Sequence, residues 1–213
     1  DGNACTRLGR LHLEERARRS STPRALDYFE RACAMENMEG CFHAAWMLYH
    51  DLGVERVSEE ERRDFRDDGD EDSLDPVISD NRRLVSLYRQ SCNGDFLPAC
   101  NQIGDLFRDG DRVPSSARQA AEFYAMACSG GFGESCYELG WLYEQGAGVE
   151  ENRQQARSLY GTACGGGYLS GCTALGNWTI QEGGPRATTQ ALALYSSACD
   201  GGDMGGCLGI GII

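Results

Sequence analysis

Ten of the chain's eleven cysteines fall into five pairs with one spacing, C-x7-C: Cys33 with Cys41, Cys92 with Cys100, Cys128 with Cys136, Cys164 with Cys172, and Cys199 with Cys207. With Cys5 counted as a second cysteine, successive second cysteines stand 36, 59, 36, 36 and 35 residues apart. A fixed period between about 20 and 50 residues marks a repeat array. In such an array each unit buries its apolar face on its neighbours.

Alignment on the cysteines shows what repeats. Four residues before each first cysteine stands an aromatic (Phe29, Tyr88, Tyr124, Tyr160, Tyr195), and eight before it Ala or Leu (Ala25, Leu84, Ala120, Ala156, Ala191). Positions i, i+4 and i+8 share one face of an α-helix. After each second cysteine the +3 position is Leu8, Ala44, Ile103, Leu139, Leu175 and Ile210, and the +6 position is Leu11, Met47, Leu106, Leu142, Trp178 and Ile213. Between them, +4 is Gly9, Ala45, Gly104, Gly140, Gly176 and Gly211, a small residue where a neighbouring helix must come close. Each unit therefore reads as a helix pair. Thr22-Pro23, Ser116-x-x-Gln119 (a capping box) and Asn152 mark helix starts.

The cysteine spacing carries a geometric condition. Eight residues of continuous helix separate Cα atoms by about 12 Å, whereas a disulfide needs them within about 7 Å. Bridged pairs thus require the chain to reverse between them, and Ser129-Gly130-Gly131, Gly165-Gly166-Gly167 and Asp200-Gly201-Gly202 supply turn chemistry. Reduced, buried cysteines in a cytosolic repeat protein are the alternative. A zinc site fits poorly, because its usual C-x2-4-C spacing is missing and the chain has only three histidines, His12, His43 and His50.

Composition excludes several chemistries. All 20 basic residues are Arg, and a net charge of −13 opposes nucleic-acid binding. Without Lys there is no P-loop lysine, Schiff base or Ser-x-x-Lys nucleophile. The histidines lie at +7, +2 and +9 from second cysteines and read as helix-surface residues, without a nucleophile in a recognised context. No cofactor or metal is called for, and no apolar run is long enough to span a membrane.

The unit Cys136-Tyr-Glu-Leu139-Gly140-Trp-Leu-Tyr143-Glu-Gln-Gly146-Ala-Gly148-Val149, followed by Ala156, Leu159-Tyr160 and Ala163-Cys164, resembles a Sel-one-like repeat, a relative of the tetratricopeptide repeat. The paired-cysteine form is similar to the cysteine-rich secreted Sel-one-like proteins of bacteria. The resemblance covers essentially the whole chain. It implies an all-α fold, a right-handed α/α superhelix of about five to six stacked helix pairs, each stapled by a C-x7-C disulfide. It also implies residues 1–213 as one solenoid.

The pattern departs from the family in places. Ala44-Ala45 replaces Leu-Gly, the spacing from Cys41 to Cys92 is 23 residues beyond the standard 28, and one residue is lost near Gly183-Gly184-Pro185. The partner of Cys5 would lie before residue 1, and the last helix stops at Ile213; both suggest a piece of a longer array, with a free or intermolecularly paired Cys5 as the alternative. The added length holds an acidic insertion at about 55–80. From Glu55 to Asp75 it has eleven acids against four Arg. It reads as a solvated loop with a short helix at Glu59–Arg66, or as an acidic docking surface for a basic partner. Calcium is a further candidate over Asp64–Asp75, though Arg66 takes a ligand position and Asp75 replaces the bidentate Glu.

Carrying the tetratricopeptide groove over, positions +1, +5 and +8 from each second cysteine would face a partner. They are Phe42, Trp46 and Tyr49; Asn101, Asp105 and Arg108; Tyr137, Trp141 and Glu144; and Thr173, Asn177 and Ile180. The aromatics serve equally well as anchors for a peptide or as packing between repeats. The expectation is a non-enzymatic scaffold binding a protein or peptide through a concave face, secreted or periplasmic. The resemblance also implies two alternatives. One is a β-lactam- or peptidoglycan-related binding or hydrolytic activity. The other is a respiratory-chain assembly factor of the mitochondrial intermembrane space, with suggested haem binding.

Overall fold

The computed structural model describes residues 1–14, 22–54 and 76–213, with backbone alone for 76–79. Among them every regular element is an α-helix: α1 (Gly2–Glu14), α2 (Thr22–Ala34), α3 (Met38–Tyr49), α4 (Pro76–Asn93), α5 (Leu97–Asp109), α6 (Ala117–Ser129), α7 (Gly133–Gln145), α8 (Arg153–Gly165), α9 (Leu169–Glu182), α10 (Ala187–Asp200) and α11 (Met204–Ile212). The calcium candidate and the expected helix at Glu59–Arg66 lie outside the described residues, while residues 76–80 open α4. The chain divides into two compact units, Asp1–Ile103 and Gly104–Ile213. In the first, α1 to α4 pack in sequence; in the second, α6 to α11 do the same. No described helix is long and apolar enough to cross a membrane.

All five expected disulfides are formed. Cys33 is bridged to Cys41, Cys92 to Cys100, Cys128 to Cys136, Cys164 to Cys172 and Cys199 to Cys207, with Cα–Cα distances of 4.5–4.7 Å. Each closes a helical hairpin at its tight end. The reversal has one solution throughout: the third residue after the first cysteine takes positive φ, as Glu36 (58°), Asp95 (64°), Gly131 (91°), Gly167 (84°) and Gly202 (98°). In the Cys128 hairpin Gly131 N–H donates to the Cys128 carbonyl (2.9 Å) and Phe132 N–H to the Ala127 carbonyl (3.0 Å). The other four hairpins repeat both bonds, which makes each turn a Schellman motif that satisfies the helix's last carbonyls.

The aromatic four residues before each first cysteine is buried in every case, from 0% exposure at Phe29 and Tyr124 to 4% at Tyr195. The Ala or Leu one turn earlier is 0% exposed in all five. In four of the five the ring lies against the +4 glycine of the preceding second-cysteine helix. A Cβ on Gly104 would stand 2.6 Å from the Tyr124 ring, on Gly140 2.9 Å from Tyr160, and on Gly176 2.5 Å from Tyr195. Gly9 stands in the same relation to Phe29, at 2.7 Å. On its other side Tyr195 meets Gly209, and Phe29 meets the His43 ring at 5.0 Å. Tyr195 and Phe29 thus fill the gap between successive second-cysteine helices. The +6 residues Met47, Leu106, Leu142 and Trp178 complete the core, whereas Leu11 and Ile213, in α1 and just past α11, are 56% and 47% exposed.

The caps at Ser116 and Asn152 behave as read, with one difference, whereas Thr22 is the first residue inside α2. Ser116 and Asn152 accept from Gln119 N–H (3.3 Å) and Gln155 N–H (3.0 Å). The reciprocal arm of the capping box has no vacant donor, because Ser116 N–H donates to the Phe107 carbonyl at 2.7 Å. Asn152 N–H makes the same bond to the Tyr143 carbonyl at 2.9 Å.

Two substitutions check this packing in thermal or urea unfolding. Gly104→Ala forces the buried Tyr124 ring aside and should cost about 1–3 kcal/mol. Gly161→Ala, inside α8, where the added Cβ would stand 4.0 Å from the Leu175 side chain, should gain about 0.5–1 kcal/mol. The turn geometry predicts that Glu36→Gly stabilises by about 1 kcal/mol. Asp95→Gly should gain less, since Asp tolerates the left-handed region better.

Candidate functional site

The second-cysteine helices carry the side chains that the hairpin core does not consume. In the first unit, α1, α2 and α3 bring Phe29, Phe42, Trp46, His43, Arg10 and Glu14 around a cavity of about 490 Å³. Phe42 also packs within the unit, 5.1 Å from the Phe96 ring and 5.8 Å from Tyr88. Trp46 and Tyr49 are half-buried and pack on His50, at 4.3 and 5.0 Å. His43 is not the plain surface residue its position suggested. Burial, then the neighbouring Arg10 charge, push its pKa below the usual histidine value, against an opposing pull from Glu39. Arg10 itself pairs with Glu39.

Asn101, at the +1 position of α5, is 2% exposed and belongs to the packed interior rather than to an open surface. The +1 position lies between neighbouring helices, as Phe42 does, so a short polar side chain there is enclosed.

In the second unit the remaining expected residues converge with the repeat tyrosines. Tyr124 donates to Asp105, Tyr160 to Glu144 and Tyr195 to Asn177, each at 2.7 Å. Three of the expected partner-facing groups thus receive the hydroxyl of a buried ring, which a phenol needs when its body is in the core. Burial and these acceptors push the Tyr124 and Tyr160 pKa values well up. Arg108 bridges Asp105 (3.2 Å), Asp109 (2.8 Å) and Glu138 (2.8 Å). The hydrogen bond to Asp109 is foremost in holding Arg108 charged. Tyr137 packs 5.5 Å from Tyr160 and 5.4 Å from Tyr168. Trp141, one turn on, is 42% exposed.

Two residues outside the +1, +5, +8 register belong to the same surface. Glu134 and Glu138 lie at −2 and +2 from Cys136. Burial raises the pKa of both, and that of Asp105; neighbouring carboxylates add to the effect and Arg108 opposes it. The sequence signal for them is that α7, α9 and α11 contain no basic residue at all. Among the described residues no cluster of three or more His, Cys, Asp or Glu is placed to hold a metal ion. Cys5 is outside every bridge and half-buried.

The repeat architecture has known counterparts. The family model of the Sel1 repeat matches residues 2–37, 97–132, 133–168 and 169–203. The chain belongs to the Sel1 repeat family. Among solved structures, a Sel1 repeat protein from Oxalobacter formigenes aligns with 99% of this chain and 75% of its own, at 16% identity and TM-score 0.72. A protective antigen of uropathogenic Escherichia coli strains with an SLR fold aligns with all of this chain at 20% identity and TM-score 0.58; this chain spans 56% of that protein. Helicobacter pylori cysteine rich protein B aligns with 74% of this chain and 96% of its own, at 23% identity and TM-score 0.49. No curated protein sequence matches the chain. The first two likenesses establish the fold, an array of Sel1 helix pairs.

The raised carboxylate pKa values make a pH prediction. A carboxyl whose pKa is higher folded than unfolded favours the fold when protonated, so its contribution is fully present below the unfolded value of about 4.3 and is lost as pH rises through the folded one. Glu134→Gln should therefore raise the melting temperature at pH 7 and change it little at pH 4. Equal shifts at both pH values would contradict the assignment.

Proposed function

We propose that the chain is a non-catalytic scaffold that holds a protein or peptide on the surface of its second-cysteine helices, in an oxidising compartment outside the cytosol. The observation that carries this reading is the pair Trp46 and Trp141. Both stand at +5 from a second cysteine. Trp46 borders an open cavity and Trp141 is 42% exposed, while the +3, +4 and +6 positions of the same helices already fill the core. A large aromatic with an exposed face beside polar groups is the usual anchor of a protein interface. The Sel1 repeat is in general an interaction fold, which agrees. The five disulfides support secretion or a periplasmic location, because such bridges persist where no thiol-reducing system acts.

Selection from a displayed peptide library tests the reading. Peptides selected on the oxidised protein should bind the Trp46→Ala/Trp141→Ala variant at least about tenfold more weakly, the loss expected when an interface anchor is removed. Unchanged affinity in a variant with an unchanged melting temperature would refute it.

A further inference from the structure

The second unit separates its charges by helix type. Its second-cysteine helices, from Gly104 through α5 and over α7, α9 and α11, carry six acids (Asp105, Asp109, Glu134, Glu138, Glu144, Glu182) and one base, Arg108. Its first-cysteine helices α6, α8 and α10 carry three bases (Arg118, Arg153, Arg157) against Glu122 and Asp200. The two sets meet where Arg157 pairs with Glu182, so the acidic excess is concentrated on α5 and α7. Arg108 is already committed to three carboxylates. It leaves an excess of negative charge beside the Tyr137–Tyr168 pair, with Glu134, Glu138 and the exposed Trp141 on one side of α7. Asp203, which accepts from Thr173, adds one more carboxylate near Tyr137.

From this juxtaposition we infer that the α5–α7–α9 surface of the second unit receives a basic, arginine- or lysine-bearing peptide segment, its cation seated between the Glu134 and Glu138 carboxylates and the aromatic faces of Tyr137 and Trp141. The inference rests on the scaffold reading and specifies the partner. Two physical terms favour a cation there. Carboxylates on a half-buried surface repel one another more strongly than in open water, and an incoming guanidinium or ammonium group relieves that repulsion. An aromatic face attracts the same cation through its quadrupole. The unit uses this second mode internally, with the Arg153 guanidinium 4.8 Å over the Trp178 ring. Glu134 and Glu138, four residues apart on α7, lie on one side of that helix. They present their charge together rather than around the helix.

The test must separate this site from the general attraction of an acidic chain for any cation. Three labelled ten-residue peptides, one alternating Arg and Ser, one alternating Glu and Ser, and one of Gly and Ser, are titrated against the oxidised full chain by fluorescence anisotropy at low and moderate salt. The Arg peptide should bind, more weakly as salt rises. Its affinity should fall at least about tenfold in Glu134→Gln/Glu138→Gln, and similarly in Trp141→Ala. The control Glu150→Gln/Glu151→Gln removes the same charge from the exposed loop between α7 and α8 and should change affinity less than about twofold. Glu134→Gln alone keeps the Glu138–Arg108 pair, guards against a folding defect from its loss, and should give an intermediate loss at a raised melting temperature at pH 7. Equal weakening by the two double variants would overturn the site. Binding of the Glu or Gly peptide in preference, still dependent on Trp141, would overturn the basic partner and leave the scaffold reading standing. Failure of all three peptides to bind would overturn the inference, and the library selection on Trp46 and Trp141 would then decide the scaffold reading by itself.

Discussion

The contact on which the rest of the structure depends is an aromatic ring laid against a glycine. Tyr124 on Gly104, Tyr160 on Gly140 and Tyr195 on Gly176 bring each first-cysteine helix close enough to the preceding helix that no Cβ fits between them. A buried aromatic removes on the order of 150–250 Å² from water, and close packing of its whole face adds dispersion that a gap of even about half an ångström would forfeit. The ring also meets the second-cysteine helix of its own hairpin, as Tyr195 does at Gly209. Phe29 and Tyr195 thus each join three helices.

The disulfide acts on a different part of the problem. It closes the hairpin at the end opposite to the long loop and fixes the register in which the ring meets its glycine. A loop this short lowers the entropy of the unfolded chain by about 2.5 kcal/mol at room temperature, in the chain-entropy account. Because the bridge and the ring fill the interior at the −8, −4, +3, +4 and +6 positions, the +5 position and the polar positions beside it are spared. The tyrosine hydroxyls then decide what lines the surface. A buried phenol must find an acceptor, and Asp105, Glu144 and Asn177 supply it. The same groups that satisfy the core therefore help to make the outer surface acidic.

Much of this is legible in the chain itself. The period identifies the hairpins, the C-x7-C spacing demands a reversal, and the aromatic and glycine columns name the core. Cys100, Cys172 and Cys207 each meet the cysteine eight residues before them, as the spacing requires. Ser116 and Asn152 cap where their sequence places them. What stays hidden is set by contacts between helices rather than along them. Asn101 and Trp141 are both surface candidates by register, yet Asn101 is enclosed and Trp141 exposed, because +1 points between neighbours and +5 does not. His43 reads as a surface histidine until the Phe29 ring is placed beside it. Glu36 and Asp95 hold a left-handed turn that the other three hairpins give to glycine. Only the shared backbone geometry reveals that all five are one motif.

The most direct test of the account is the pairing of the cysteines in the protein as isolated with its thiols alkylated. Arginine cleavage sites fall between the pairs and never within one, so each pair lies in a single tryptic peptide: Cys33 with Cys41, Cys92 with Cys100, Cys128 with Cys136, Cys164 with Cys172, and Cys199 with Cys207. Mass spectrometry without reduction should find all five peptides lighter by two hydrogens than their reduced forms and carrying no alkyl label. Alkylated cysteines in those peptides, or disulfides linking one peptide to another, would contradict the stapled-hairpin repeat on which the fold and its exposed helix surface rest.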